Sequence, residues 1–188
     1  MTSELIWQHL EAPGWEHVRV ISDHPGWTVF DSILVREDSG QVLRGGYTLV
    51  VDKQWRTLEL RFMLESAPGS MQGVHLISEG DGRWSDANEK HIPELDGILD
   101  VDIQWSPLTN TLPLRRLNMT EGSHHDVRLA YIALPDLALQ VVDQHYHRPN
   151  ASTLEFSAPG SPEKYLIKTD QDGYVSDYPE LFTRTWPR

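Results

Sequence analysis

Apolar and polar residues alternate along most of this chain. In TLELRFML, Leu58, Leu60, Phe62 and Leu64 interleave with Thr57, Glu59, Arg61 and Met63, which predicts a strand with one buried face. ILDVDIQW sets Val101, Ile103 and Trp105 against Asp100, Asp102 and Gln104, and in TLEFSA Leu154 and Phe156 flank Glu155. Further β-rich runs are WTVFDSILV, GGYTLVV, GVHLIS, VRLAYIAL, LALQVVDQHYH and KYLIKT. Between them stand DHPG, EDSG, SAPGS, EGDG, TEGS, APGSP and DQDG, whose glycines supply the positive φ of tight turns, so neighbouring strands are expected to pair antiparallel. The pattern yields about a dozen short strands, and a sheet of that size hides its edges best by curling or closing.

Helical signals are few. SELIWQHLE reads equally as a short helix capped by Ser3 or as a first strand carrying Trp7. TNTLPLRRLN is the better helix: Thr109 can serve as N-cap, Pro113 falls in the first turn, and Arg115 and Arg116 sit near the C-terminal end. A helix of about two or three turns among strands is predicted.

Charge and composition narrow the function classes. The net charge of −12 over 188 residues offers no concentrated basic face, which argues against nucleic acid or an anionic membrane as partner. With no cysteine there is no disulfide, thiolate metal site or cysteine nucleophile. No run approaches the roughly 20 apolar residues of a membrane span, and MTSELIWQHLEAPGWEHVRV lacks the basic and apolar regions of an export signal, so cytoplasmic residence is expected. One domain over residues 1–188 is the expectation from length.

Several chemical readings compete. Asp100 and Asp102 lie about 6.5–7 Å apart along one strand face, a spacing that glycoside hydrolysis would accept, although alternating acids are also the ordinary solvent face of a strand or partners for Arg115 and Arg116. Asp143, His145 and His147 share a strand face and form an O,N,N set for a divalent metal, without a visible fourth ligand. His124 and His125 read as loop residues. DQDGYVSDYPEL opens like a calcium loop but has Tyr174 and Leu181 where ligands belong, and reads as a hairpin turn. No metal or cofactor is called for. Seven tryptophans, six tyrosines and four phenylalanines exceed what a core needs, and a surplus can line a cavity for lipid chains or sugar rings.

DGRWSDANEKHIPELDGILDVDIQWSPLTNTLPLRRL, followed downstream by DQDGYVSDYPELFTR, resembles the glycolipid-binding family of bacterial proteins, formerly a domain of unknown function. The matching elements are Gly82 to Trp84, Asp100 to Asp102, Ser106 to Arg116, and Asp170 to Pro179, with Trp7 in the place of an early family tryptophan, which favours the strand reading there. The resemblance implies a mainly β spiral β-roll, a long curled antiparallel sheet wrapped around a single α-helix, and homodimers. It also implies a lipid or glycolipid held in an apolar cavity of the curled sheet.

On that fold Trp84, Asn110, Arg115, Arg116 and Tyr178 are the expected ligand-binding residues. Asp100, Asp102, Thr109 and Thr111 are expected to form a polar clasp that holds the helix to the sheet. The alternatives are a hydrolase of sugar or lipid conjugates, working through Asp100 and Asp102 or the Asp143, His145, His147 set, and a non-catalytic dimeric interaction protein.

Overall fold

The computed structural model describes residues 2–22, 26–67, 69–157 and 163–187. Strands β1 (Thr2–His9), β2 (Gly14–Ile21), β3 (Trp27–Asp38), β4 (Gln41–Asp52), β5 (Thr57–Ala67), β6 (Ser70–Ser78) and the two-residue β7 (Trp84–Ser85) step outward from the middle of one sheet. Residues 86–99 carry the chain to the opposite edge, where β8 (Asp100–Ile103) lies. Strands β9 (His124–Ala133), β10 (Ala138–Asn150), β11 (Thr153–Ser157), β12 (Tyr165–Thr169), β13 (Val175–Tyr178) and β14 (Phe182–Trp186) then return to the middle, and β14 pairs with β1. Among the described residues the result is one long, open, curled sheet of 14 strands with a single short α-helix. Every strand pair is antiparallel except β8 with β9, and that parallel pair requires a crossover. The crossover is a 3₁₀ turn, Pro107–Asn110, running into α1 (Thr111–Arg116). Among the described residues no helix is long and apolar enough to cross a membrane.

The sheet curls back on itself, and its β8 edge returns to the first half of the sheet. β8 packs against β5, and the Thr57 N–H donates to the Leu99 carbonyl at 2.9 Å. All four β8 residues are buried. Val101 and Ile103 enter the larger core, with Leu49, Leu60, Phe62 and Trp84, and Leu108 and Leu112 of the crossover join them there. Leu114 packs instead into the second core, with Tyr146, Leu154 and Ile167. Positions 112 and 114 are about 200° apart around a helix, so α1 presents one leucine to each wall of the coil. Each such fully buried leucine is worth roughly 1.5–3 kcal/mol.

Particular residues depart from the alternation. β8 has no solvent face, so the reading of Asp100 and Asp102 as ordinary exposed acids is corrected: the coil covers both sides of that strand. In β5, Leu60, Phe62 and Leu64 are buried as expected, but Leu58 is only half-buried while Thr57 goes inside. A bulge explains this. Val50 and Val51 of β4 face Glu59 and Thr57, leaving Leu58 as the extra residue that shifts the phase. His124 and His125 belong to β9 and not to a loop, because β9 extends to match the length of β10.

The helix is shorter than predicted. Thr109 is not its N-cap, since the threonine hydroxyl donates to Asp102 at 2.7 Å and to the Ser106 carbonyl at 3.0 Å. Trp7 sits in a strand, and its indole N–H donates to the Val175 carbonyl at 2.8 Å, tying β1 to the second core. The Gly-x-Trp element also has a structural reason. Gly82 has φ +85°, and a Cβ there would lie 2.9 Å from the Gly97 Cα. Only glycine lets the two chain segments meet, which they do through a 2.9 Å hydrogen bond from the Gly97 N–H to the Gly82 carbonyl.

Candidate functional site

Strand register builds a ladder of rings across the second half of the sheet. Tyr146 of β10 stands opposite Phe156 of β11, Phe156 opposite Tyr165 of β12, and Tyr178 of β13 opposite Phe182 of β14. Phe182 in turn faces His9 of β1. Successive ring centres are 5.7, 5.6, 5.7, 5.8 and 5.0 Å apart from Tyr146 to His9, with Phe156 and Tyr165 stacked and the last three contacts edge-on. Cross-strand aromatic pairs at such spacings attract beyond their buried area.

Four rings of this ladder, Phe156, Tyr165, Tyr178 and Phe182, line a cleft of about 330 Å³. The opposite wall is the end of β8 and the 3₁₀ turn, which contribute Asp102, Trp105, Ser106 and Asn110. Trp105 has φ +73°, a backbone conformation that costs a bulky residue energy and persists where the surroundings impose it. Here the Arg36 guanidinium lies 4.8 Å from the centre of its ring.

The polar groups around Asp102 are bonded to one another. Asp102, 8% exposed, accepts from Thr109 on one oxygen and from the Gln144 amide on the other at 2.9 Å, while the Tyr146 hydroxyl donates to the Gln144 carbonyl oxygen. Burial raises the Asp102 pKa despite these two donors. Tyr131, beside it, is pushed up to about 12 by burial and by the Asp102 charge. The Asn110 side-chain oxygen is buried with no partner, an acceptor in search of a donor. At the outer rim Glu11 is exposed and holds Arg36 at 3.3 Å.

Behind Ser106 lies a second polar centre. Ser106, Ser32 and Tyr47 all donate to one oxygen of Glu16, at 2.8, 3.0 and 2.8 Å, and the other oxygen has no partner. Full burial raises the Glu16 pKa from 4.5 to about 7 against the pull of those three hydroxyls.

The residues named from sequence are distributed over several places. Asn110 and Tyr178 line the aromatic cleft. Asp100, wholly inaccessible, receives the Arg116 guanidinium, with Nε 2.9 Å from both oxygens and an Nη at 2.6 Å. Arg115 turns the other way. Its guanidinium lies 4.4 Å from the centre of the Trp55 ring and donates to the Asp172 carbonyl. Trp84 is fully buried and donates its indole N–H to the Ile98 carbonyl at 2.8 Å, and the Thr111 hydroxyl is buried without a partner.

Asp143, His145 and His147 lie on the opposite face of β10 from Gln144 and Tyr146. Asp143 is 3.7 Å from Arg128, His145 is bonded to Asp126, and His147 stacks on His124 at 3.9 Å. Among the described residues no group of three or more His, Asp or Glu is placed to hold a metal ion.

Sequence reasoning missed Phe156, Tyr165, Gln144 and Glu16 as site residues. Glu16 had a readable signal, since it falls in phase with the inward Gly14, Val18 and Val20 of β2. The rings had none, because their neighbourhood depends on strand register.

A family model described as "Putative glycolipid-binding" matches residues 4–184. The crystal structure of a DUF1089 family protein from Pseudomonas aeruginosa is similar over 91% of this chain and 91% of that one, with 36% sequence identity and a TM-score of 0.83. No functionally curated protein matches the chain.

Proposed function

The chain belongs to the glycolipid-binding family, and on that footing we propose that it binds an amphiphile by its carbohydrate head in the cleft between the ring ladder and the 3₁₀ turn. The observation that carries this reading is the pairing of Tyr178, Tyr165 and Phe156 with the convergent Asp102, Gln144 and Asn110. Ring faces suit the C–H side of a sugar. Carboxylate and amide groups suit its hydroxyls. A volume of about 330 Å³ lies at the lower end of the ~300–1,000 Å³ typical of small-molecule sites, room for a head group and a short length of chain. The space between α1 and the sheet is occupied by Leu108, Leu112 and Leu114. An acyl tail is therefore assigned to the aromatic wall and its rim and not to the interior of the coil.

Titration of the protein with octyl glucoside below its micelle concentration, with glucose, and with octyl phosphocholine, read by saturation-transfer NMR, tests the proposal. Binding of the alkyl glycoside is expected to exceed that of either control and to weaken about tenfold in Tyr178→Ala and in Asn110→Ala, the loss of one stacked ring or one buried hydrogen bond. Equal response to the glycoside and the phosphocholine, or no loss in either variant, refutes it.

Homodimerisation belongs to the same proposal. Trp15 of β2, Ile33 and Val35 of β3, Met63 of β5 and Met71 of β6 are exposed, with Gly46 of β4 between Ile33 and Met63, an apolar patch on the outer face. Sedimentation velocity of Ile33→Glu against the native chain checks it.

A further inference from the structure

A second cleft, of about 440 Å³, opens at the other end of α1, between the helix terminus and the turn from Asp170 to Tyr174. Trp55, Arg115, Asn118, Arg148 and Asp172 line it. Electrostatics sets this cleft apart in a chain of net charge −12, where acids are plentiful enough to pair with most cations. Arg19, Arg36, Arg56, Arg61, Arg116, Arg128 and Arg184 each have a carboxylate within 4.0 Å. Among the described arginines only Arg44, Arg83, Arg115 and Arg148 form no such pair, and two of those four face this one cleft.

Arg115 is also held in place. Its guanidinium lies 4.4 Å from the centre of the Trp55 ring and donates to the Asp172 carbonyl of the turn. Gly173, φ +81°, makes that approach possible, since a Cβ there would sit 3.2 Å from the Arg115 Cδ. Arg148 donates to the Ala151 carbonyl and keeps its remaining N–H groups for other acceptors. Partial burial with no carboxylate in support disfavours its charged form, the condition that a bound anion relieves. One acid, Asp172, lines the cleft against these two cations.

We propose that Arg115 and Arg148 form an anion site that takes a phosphoryl group, separate from the carbohydrate cleft. A planar guanidinium fork matches two phosphoryl oxygens at once, and a pre-positioned arginine loses little freedom on binding. The phosphoryl group can come from a soluble phosphate ester or from a lipid head group.

Calorimetric titration with glycerol 3-phosphate at low salt, and co-flotation with phosphatidylglycerol or phosphatidylcholine vesicles, tests the site and separates the two sources. Arg148→Gln is the informative variant because it gives up a single protein hydrogen bond, and Arg44→Gln serves as a control for diffuse charge. Binding of glycerol 3-phosphate that weakens about tenfold in Arg148→Gln, and not in Arg44→Gln, is expected for a soluble ligand. Flotation with phosphatidylglycerol alone, lost in Arg148→Gln and kept in Arg44→Gln, assigns the site to a lipid phosphate. No binding of either probe, or equal loss in both variants, overturns the proposal and leaves the glycoside reading untouched.

Discussion

Replacing Arg116 by methionine isolates the buried ion pair between α1 and β8. Asp100 is inaccessible to water, and among the described residues Arg116 is its only cation, through three contacts of 2.6–2.9 Å. Removing one partner of such a pair costs about 3–5 kcal/mol, because the remaining charge stays buried. Proton uptake limits that cost. An aspartate of ordinary pKa ~3.9 needs about 1.4 kcal/mol per pH unit to be held protonated, or about 4 kcal/mol at pH 7 and about 1.5 kcal/mol at pH 5.

The sign follows from burial, which raises the Asp100 pKa in the folded protein even with Arg116 in place. Ionisation therefore costs stability as pH rises through that window, and loss of the guanidinium widens the window upward. Urea unfolding followed by tryptophan fluorescence, with a slope of roughly 2 kcal/mol per molar urea, should show the midpoint of Arg116→Met falling by about 2 M at pH 7 and by less than about 1 M at pH 5. Asp100→Asn added to Arg116→Met should recover part of the loss at pH 7. A deficit under about 1 kcal/mol at pH 7, or one that is the same at both pH values, would show that Asp100 reaches water and that the pair does not pin the helix.

Two further substitutions probe the surroundings of the sites. Glu16→Gln keeps an oxygen for Ser32, Tyr47 and Ser106 and removes a carboxyl raised from 4.5 to about 7, so native stability should fall relative to the variant between those pH values, by on the order of 3 kcal/mol. Equal pH profiles for the two proteins in urea titrations at pH 5 and pH 8 would contradict a buried, strained carboxyl. Gly173→Ala places a Cβ at φ +81° against Arg115 and Leu114, and should cost at least about 1–2 kcal/mol in thermal unfolding while weakening glycerol 3-phosphate binding. Retention of both properties would mean that the turn does not hold Arg115.

Local pattern was enough for the strands, since side chains on a strand alternate whatever their partners are. Alternation and turn residues announced a mainly β chain, and the four-part motif tied it to the spiral roll. The Thr-Asn-Thr-Leu-Pro segment announced its helix in the right place. Asp100 meets Arg116 as an acid and a base one element apart would be expected to meet, whereas Arg115, adjacent in sequence, points to a different cleft because successive helix positions diverge by about 100°.

Coiling was beyond local pattern. It buries both faces of β8, turns Asp102 from a surface acid into an interior one, and sets Trp84 in the core. Register decided the candidate site: rings contributed by six strands, from β10 through β14 to β1, meet only after pairing places them opposite one another. Composition therefore established that aromatic side chains were in surplus, and the register of each strand with its neighbour, which alternation alone does not encode, determined that Phe156, Tyr165, Tyr178 and Phe182 line one cleft.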